Sequence, residues 1–181
     1  MKKIYLSILS LLLIVNCFAQ NEYKKGSTLG FSFTLHDFKT PAAIKSKGLV
    51  NVIREKQLFK VSDMDAGVGI NYLKGISNCA DFTSTFGVSS LSSSINAEVT
   101  AGINLKLLTD KYFAVPFINA GIGANAFEVY YAAFMPVGTG LQLNFSRDVF
   151  FLLNSQYRIP VTQNASSNFY YSFTIAANIG K

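Results

Sequence analysis

The sequence predicts an all-β fold, an eight-stranded antiparallel up-and-down transmembrane β-barrel with a partly helical first loop. Three observations support this prediction. Apolar and polar residues alternate along eight segments, the polar face of these segments carries few charges, and short turns alternate with longer connections. The composition agrees, because half of the 181 residues are hydrophobic and only 14% are charged, against about 25% in ordinary soluble domains.

Alternation with a period of two is clearest between Ala97 and Leu107, where every second residue from Ala97 onward is apolar. Successive side chains of a strand point to opposite faces, so this segment is expected to be a two-faced strand. The fifth segment is the least regular, because Val115 and Phe117 fall on its polar face. The eight predicted strands are Thr28–Leu35, Ala66–Leu73, Asp81–Ser90, Ala97–Leu107, Tyr112–Gly123, Ala133–Phe145, Val149–Ile159 and Phe169–Ile179.

The polar face separates a membrane barrel from a soluble one. A soluble barrel turns that face to water and fills it with Lys, Glu and Asp. Here it holds mostly Gly, Ser, Thr, Asn and Gln, with Glu98, Lys106 and Arg158 as isolated charges. Such a face suits the narrow interior of a small barrel. We therefore expect the apolar face to meet lipid and the three charges to pair inside, with a soluble lipocalin-like exported barrel as the alternative.

Connection lengths predict the orientation. The joins after the second, fourth and sixth strands are short and contain turn residues, and the joins after the other strands are longer or irregular. In an outer-membrane barrel this layout places both chain ends on the periplasmic side. Aromatic residues near both rims are typical of membrane-interface belts. They are Tyr72, Phe82, Tyr112, Phe113, Phe145, Phe150 and Phe151 at one rim, and Tyr130, Tyr131, Tyr157, Phe169, Tyr170 and Tyr171 at the other.

The first residues have the pattern of a secretory signal peptide. Lys2 and Lys3 precede an apolar run, and Cys17-Phe18-Ala19 follows it as a small-x-small cleavage site before Gln20. The run from Ile4 to Val15 is shorter than the roughly 20 residues that a transmembrane helix needs. The predicted organisation is a signal peptide at 1–19, a short segment at 20–27 and a barrel domain at 28–181, exported to the bacterial outer membrane.

These residues resemble a known family. The signal ending at 18–20, the turn at 108–112 and the segments 116–123 and 138–143 are similar to the small outer-membrane β-barrels of diderm bacteria, the OmpA-like barrel family. The resemblance covers about residues 28–181. Many members carry a periplasmic peptidoglycan-binding domain after the barrel, whereas this sequence stops at Lys181, directly after the last predicted strand. The sequence departs from the family at its end, Ile179-Gly180-Lys181, where such barrels commonly finish on an aromatic residue.

His36, the single histidine, precedes Asp37 at the outer end of the first predicted strand. Small barrels that modify lipid A use His with Ser and an acidic residue near the outer rim, so a lipid A-modifying acyl hydrolase or transferase is an alternative function. A nucleophile needs a base within hydrogen-bond reach, and no spacing brings a serine to His36.

Other motifs give no site. One histidine and one distant cysteine provide no metal ligand set. Gly121–Ala126 matches a dinucleotide-binding fingerprint in its letters, but that motif requires a strand opening into a helix. We expect no catalytic, cofactor-binding or metal-binding residues, and no cofactor.

The connection 39–60 is the most distinctive segment. Thr40-Pro41 favours a helix start, Gly48 interrupts the helix, and Leu49–Phe59 could resume it. Six basic residues stand against one acidic residue, namely Lys39, Lys45, Lys47, Arg54, Lys56 and Lys60 against Glu55. We expect this loop to lie over the outer rim and to contact lipopolysaccharide phosphates or an acidic partner, a solvated insertion with incidental charge being the alternative.

The sequence therefore predicts a monomeric, non-enzymatic outer-membrane protein with a structural or surface-interaction role and with membrane lipids as partners. A small-solute pore is a further alternative, which requires an open interior. The pI of about 9.3 does not indicate nucleic acid as a partner, because the basic residues gather in one exported loop.

Overall fold

The computed structural model describes residues 25–55, 59–91, 94–127, 130–146 and 148–180. The predicted signal peptide lies outside these residues. The strands form a closed antiparallel barrel, in which each strand pairs with its neighbours in sequence and the first also pairs with the last. The predicted fold class is confirmed. The strands are β1 (Ser27–Asp37), β2 (Asp65–Ser77), β3 (Ala80–Leu91), β4 (Ser94–Lys106), β5 (Ala114–Phe127), β6 (Tyr130–Asn144), β7 (Val149–Pro160) and β8 (Asn168–Asn178).

Two helices occupy the first connection, α1 (Lys39–Lys47) and α2 (Leu49–Arg54), followed by a 3-10 turn at Val61–Asp63. Gly48 separates the helices with a φ of 83°, a left-handed conformation that glycine adopts without a Cβ clash. The Asp37 carboxylate accepts a hydrogen bond of 2.8 Å from the backbone N–H of Thr40 and so stabilises the start of α1. No helix in the described part of the chain is long and apolar enough to cross a membrane.

The predicted alternation of faces is confirmed in β1. Phe31 is 59% exposed and Phe33 49%, whereas Ser32 and Thr34, which point the other way, are 0% and 2% exposed. Along the barrel the outward face is therefore apolar and the inward face polar. Exposing such an apolar outward face to water would be unfavourable in free energy, whereas contact with lipid is favourable, as in transmembrane barrels.

Two predicted connections are wrong. Only residues 92–93 separate β3 from β4, and only 128–129 separate β5 from β6, because the strand pairing continues to Phe127 and Tyr130. The connection 107–113 at one rim is as long as 161–167 at the other, so the two rims differ in length mainly through the connection 38–64, which shares its rim with 161–167. We call the rim that carries these two connections the outer rim, and the rim that carries Lys25 and residues 178–180 the inner rim.

The irregular residues of the fifth predicted strand have an interior role. Phe117 belongs to an apolar cluster inside the barrel near the inner rim, and Val115 is also fully buried. Phe150 and Tyr170, predicted to lie in the interface belts, point inward and are 3% and 4% exposed. The apolar cluster consists of Leu73, Phe117, Phe150, Leu152 and Ala176.

Glycines make room for the aromatic rings of β5 and β6. Phe117 is paired with Gly140, and Phe134 with Gly123, across the same strand pair. A Cβ added at either glycine would collide with the ring of its partner. Each ring therefore lies over the backbone of the opposite strand, an arrangement that also shields the glycine.

Candidate functional site

A charge pair occupies the interior near the outer rim. Arg158 on β7 donates two hydrogen bonds to Glu98 on β4, of 2.6 Å from Nη1 and 2.9 Å from Nη2, and both side chains are buried. The guanidinium carbon lies 3.8 Å from the ring centre of Tyr170 and 4.6 Å from that of Phe134. This fork-on-fork geometry is the strongest form of a carboxylate–guanidinium contact, and the two rings exclude water from it.

His36 faces the same interior region and not the lipid. Its Nδ1 lies 3.5 Å from Nη1 of Arg158, and its ring meets Tyr170 edge-on at 5.1 Å. It is 2% exposed, and its Nε2 has no hydrogen-bond partner among the described residues. Among the described residues, no serine forms a hydrogen bond with the His36 ring. Asp37 instead accepts the hydrogen bond at the start of α1. His36 and Asp37 therefore do not take part in a nucleophile–base arrangement.

A second charged cluster closes the inner rim. Lys106 donates to Asp81 at 2.9 Å and to Asp110 at 2.7 Å. Lys25, which precedes β1, donates to Asp81 at 3.3 Å and to Gln142 at 2.7 Å. Burial removes these charges from water, and the network compensates by giving each one an opposite charge.

The predicted interior network is thus divided between the two ends of the barrel. Glu98, Lys106 and Arg158 all lie inside, but Lys106 bonds to Asp81 and Asp110 in the inner-rim cluster, whereas Glu98 and Arg158 pair with each other near the outer rim. Lys25 and Asp110 stand outside the strands, so the alternation gave no sign of them. Asp81 does lie on the polar face of the third predicted strand, and that position could have shown its interior role.

Between the two charged clusters the barrel holds a small polar cavity of about 40 Å³. Asn71 accepts a hydrogen bond from Thr85 at 2.5 Å, and Asn119 donates to Asn154 at 2.7 Å. A cavity of this size has room for a few water molecules, and the apolar cluster separates it from the inner rim. In the described residues no group of His, Cys, Asp or Glu side chains could hold a metal ion.

The basic residues of the first connection divide into paired and unpaired groups. Asp63 forms ion pairs with Lys39 at 2.9 Å and with Lys60 at 3.1 Å, and Lys47 pairs with Glu55 at 2.9 Å. We call the Lys39–Asp63–Lys60 triad the loop clamp. Lys56 lies outside the described residues.

Lys45 on α1 and Arg54 on α2 are exposed and form no ion pair with any residue that the structure describes. Two apolar side chains of α2 are exposed as well, Val50 at 71% and Ile53 at 53%. The surface of the two helices therefore combines available cations with apolar groups.

The first connection also reaches the outward face of the barrel. Four aromatic side chains follow one another there, with ring centres 5.4 Å apart for Tyr157 and Phe169, 6.4 Å for Phe169 and Tyr171, and 5.3 Å for Tyr171 and Phe59. We call them the aromatic row. Phe59 holds a left-handed φ of 58°, which costs a residue with a Cβ about 1–2 kcal/mol, and α1 packs against β8 beside the row.

Known structures share this architecture. The N-terminal β-barrel domain of Pseudomonas aeruginosa OprF matches with a TM-score of 0.61 and 8% identity, over 86% of this chain and 98% of that one. Neisserial surface protein A matches with a TM-score of 0.59 and 10% identity, over 87% and 100%. This chain has the fold of the small outer-membrane β-barrels. OprG from Pseudomonas aeruginosa, another outer membrane protein, matches this barrel with a TM-score of 0.51 and 8% identity, over 87% and 95%.

The predicted resemblance to small outer-membrane barrels is confirmed at the level of the fold. No protein-family profile matches the chain, and no curated protein matches it either. Matches at 8–10% identity show a shared fold but not a shared function. The function of this barrel therefore has to be inferred from its own residues.

Proposed function

We propose that this barrel is a non-enzymatic protein of the bacterial outer membrane with a structural or surface-interaction role, and that its first connection contacts the phosphate groups of lipopolysaccharide. One observation carries the proposal. At the outer rim, Lys45 and Arg54 are exposed without an ion-pair partner among the described residues, and Val50 and Ile53 of α2 are exposed apolar side chains of the same connection. Cations flanked by apolar groups suit an anionic lipid surface.

The interior supports a structural role for its own charges. Arg158 and Glu98 compensate each other's charge, and Lys106 and Lys25 share the two carboxylates of the inner-rim cluster. These interior charges are compensated within the protein, whereas Lys45 and Arg54 at the outer rim have no ion-pair partner among the described residues.

The position of His36 weighs against the lipid A-modifying alternative. Such an enzyme needs its base next to a nucleophile that the lipid can reach. His36 instead points into the barrel and packs on Tyr170. No observation of the site favours acyl transfer.

The test replaces all six basic residues of the loop by Gln. Barrels are reconstituted in phosphatidylcholine vesicles that contain a minor fraction of fluorescent lipopolysaccharide, and energy transfer to a label on the barrel measures its enrichment. Each basic residue near an anionic surface contributes about 1 kcal/mol, so we expect the enrichment seen with the unmodified barrel to be lost and its salt dependence to disappear.

The matched control neutralises Lys74 and Lys111 near the inner rim, and this variant should keep the enrichment. Equal enrichment around the unmodified barrel and the six-residue variant at every salt concentration would contradict the proposal.

A further inference from the structure

A groove lies between α1 and the outward face of β7 and β8. It is an open depression with a volume of about 400 Å³. Tyr157 and Phe169 are outward-facing members of the aromatic row, so the groove opens toward the membrane side of the barrel and not toward its interior. The lining residues are Pro41, Ile44, Lys45, Tyr157, Ser167 and Phe169.

The groove has two chemically different parts. Pro41, Ile44 and the two aromatic rings form apolar walls. The polar part consists of the Lys45 ammonium, which has no ion pair within the described residues, and the half-buried Ser167 hydroxyl. Such a combination is complementary to a ligand with an apolar chain and an anionic head.

The position of the groove identifies the source of that ligand. Aromatic rows near a barrel rim mark the boundary between hydrocarbon and headgroups. A lysine at this level directs its ammonium toward the phosphate layer while its methylene stem stays on apolar surface. The groove therefore meets the acyl chains and the phosphates of the outer leaflet at the same height.

We infer that this groove binds one phosphorylated lipid of the outer leaflet, with a phosphate on Lys45 and Ser167 and an acyl chain along Tyr157 and Phe169. The inference rests on the proposed function and deepens it, because it assigns the contact to one residue of the loop and to the barrel wall behind it. Lys39, Lys47 and Lys60, held by carboxylates of the protein, are not part of this site.

The experiment counts retained lipid by native mass spectrometry. Barrels are taken from phosphatidylcholine nanodiscs that contain diphosphorylated lipid A, and we expect one lipid A to remain on the unmodified barrel. Lys45→Ala should lower this retention about fivefold, the ratio that corresponds to one basic residue at an anionic surface, and Lys45→Arg should restore it. Lys60→Ala, the matched control, removes the same charge from the loop clamp and should leave retention unchanged.

The apolar wall is tested separately. Tyr157→Ala should lower retention, while Tyr131→Ala, which removes an exposed outer-rim tyrosine that does not line the groove, should not. Dephosphorylated lipid A should not be retained, and a sugar phosphate without acyl chains should not displace the lipid.

Equal retention by Lys45→Ala and Lys60→Ala, or displacement by the sugar phosphate, would overturn the inference. If the six-residue variant still loses its enrichment in lipopolysaccharide, only the groove is wrong. If that variant behaves like the unmodified barrel, the proposed function has failed as well.

Discussion

Arg158 illustrates how a single residue fixes the interior. Its guanidinium is buried, yet Glu98 supplies a full counter-charge and Tyr170 and Phe134 cover it with aromatic surface. Removing one partner of such a pair leaves the other charge buried and uncompensated, whereas removing both does not.

We predict that Arg158→Met lowers the free energy of unfolding by about 3–5 kcal/mol. The double variant Arg158→Met with Glu98→Gln should recover a large part of the loss. Urea unfolding of the barrel in lipid vesicles, followed by the shift in gel mobility on heating, measures both changes.

The matched control is the exposed pair Lys47–Glu55 on the first connection. Lys47→Met should change the free energy of unfolding by less than about 1 kcal/mol, because solvent screens an exposed pair. A loss of the same size for Arg158→Met and Lys47→Met would contradict the buried character of the Arg158 pair.

The interior position of charged residues was predictable wherever strand alternation applies. Glu98, Lys106 and Arg158 lie on the polar faces of strands, so their interior position followed from the period of two. The pairing of Glu98 with Arg158 was predicted as well. The remaining members of the inner-rim cluster were not, because Lys25 and Asp110 stand outside the strands, where alternation gives no information.

At the scale of elements, the loop clamp ties the first turn of α1 to the 3-10 turn before β2. Asp63 accepts a hydrogen bond from Lys39, and both Lys39 and Lys60 form ion pairs with it. The hydrogen bonds from Lys39 and Lys60 lower the pKa of Asp63 below its ordinary value of 3.8. The clamp therefore contributes to stability at neutral pH.

We predict that acid breaks the clamp at a pH below 3.8, the ordinary pKa of an aspartate. A carboxylate with a lowered pKa contributes fully above its unfolded-state pKa and stops contributing as the pH falls through the lowered value. In an NMR titration, Asp63 should have a midpoint below 3.8, and Lys39→Ala should raise it.

High salt should raise the Asp63 midpoint in the same direction, because the groups are exposed. Lys47→Ala, which removes a lysine outside the clamp, serves as the control and should leave the Asp63 midpoint unchanged. A midpoint for Asp63 that Lys39→Ala leaves unchanged would contradict the clamp.

The positions of the strands were predictable, but several of their ends were not. Apolar and polar residues alternate over only part of each strand. β5 extends to Phe127 because it pairs with β6 there. The helices of the first connection were predicted by Thr40-Pro41 and Gly48, whose effects are local. The groove was not, because it depends on the barrel bringing α1 beside Tyr157 and Phe169, which lie far along the chain.

At the scale of the whole molecule, the interior is filled in successive levels. The inner-rim cluster, the apolar cluster, the polar cavity and the Glu98–Arg158 pair follow one another from the inner to the outer rim. Eight strands enclose little more space than side chains can fill. This filling explains how a barrel can carry so many interior polar groups without enclosing a wide channel.

We predict that the reconstituted barrel shows no steady ion conductance, because the apolar cluster of Phe117 and its neighbours blocks the passage of hydrated ions. Single-channel recording in planar bilayers is the measurement, with heat-modifiable gel mobility as the control for correct folding. Reproducible conductance steps from the folded barrel would support the pore alternative instead.

The pairing of β1 with β8, which runs from Thr28 and Asn178 to Asp37 and Phe169, has a consequence for biogenesis. Until that last ladder forms, the sheet has two open edges, and each edge can pair with another chain. Such non-local pairing is also the slowest part of folding a β-sheet. The open edges of the nascent sheet therefore need protection from other chains until β8 has paired with β1. A chain that ends before β8 would be an open sheet prone to aggregation and not a smaller barrel.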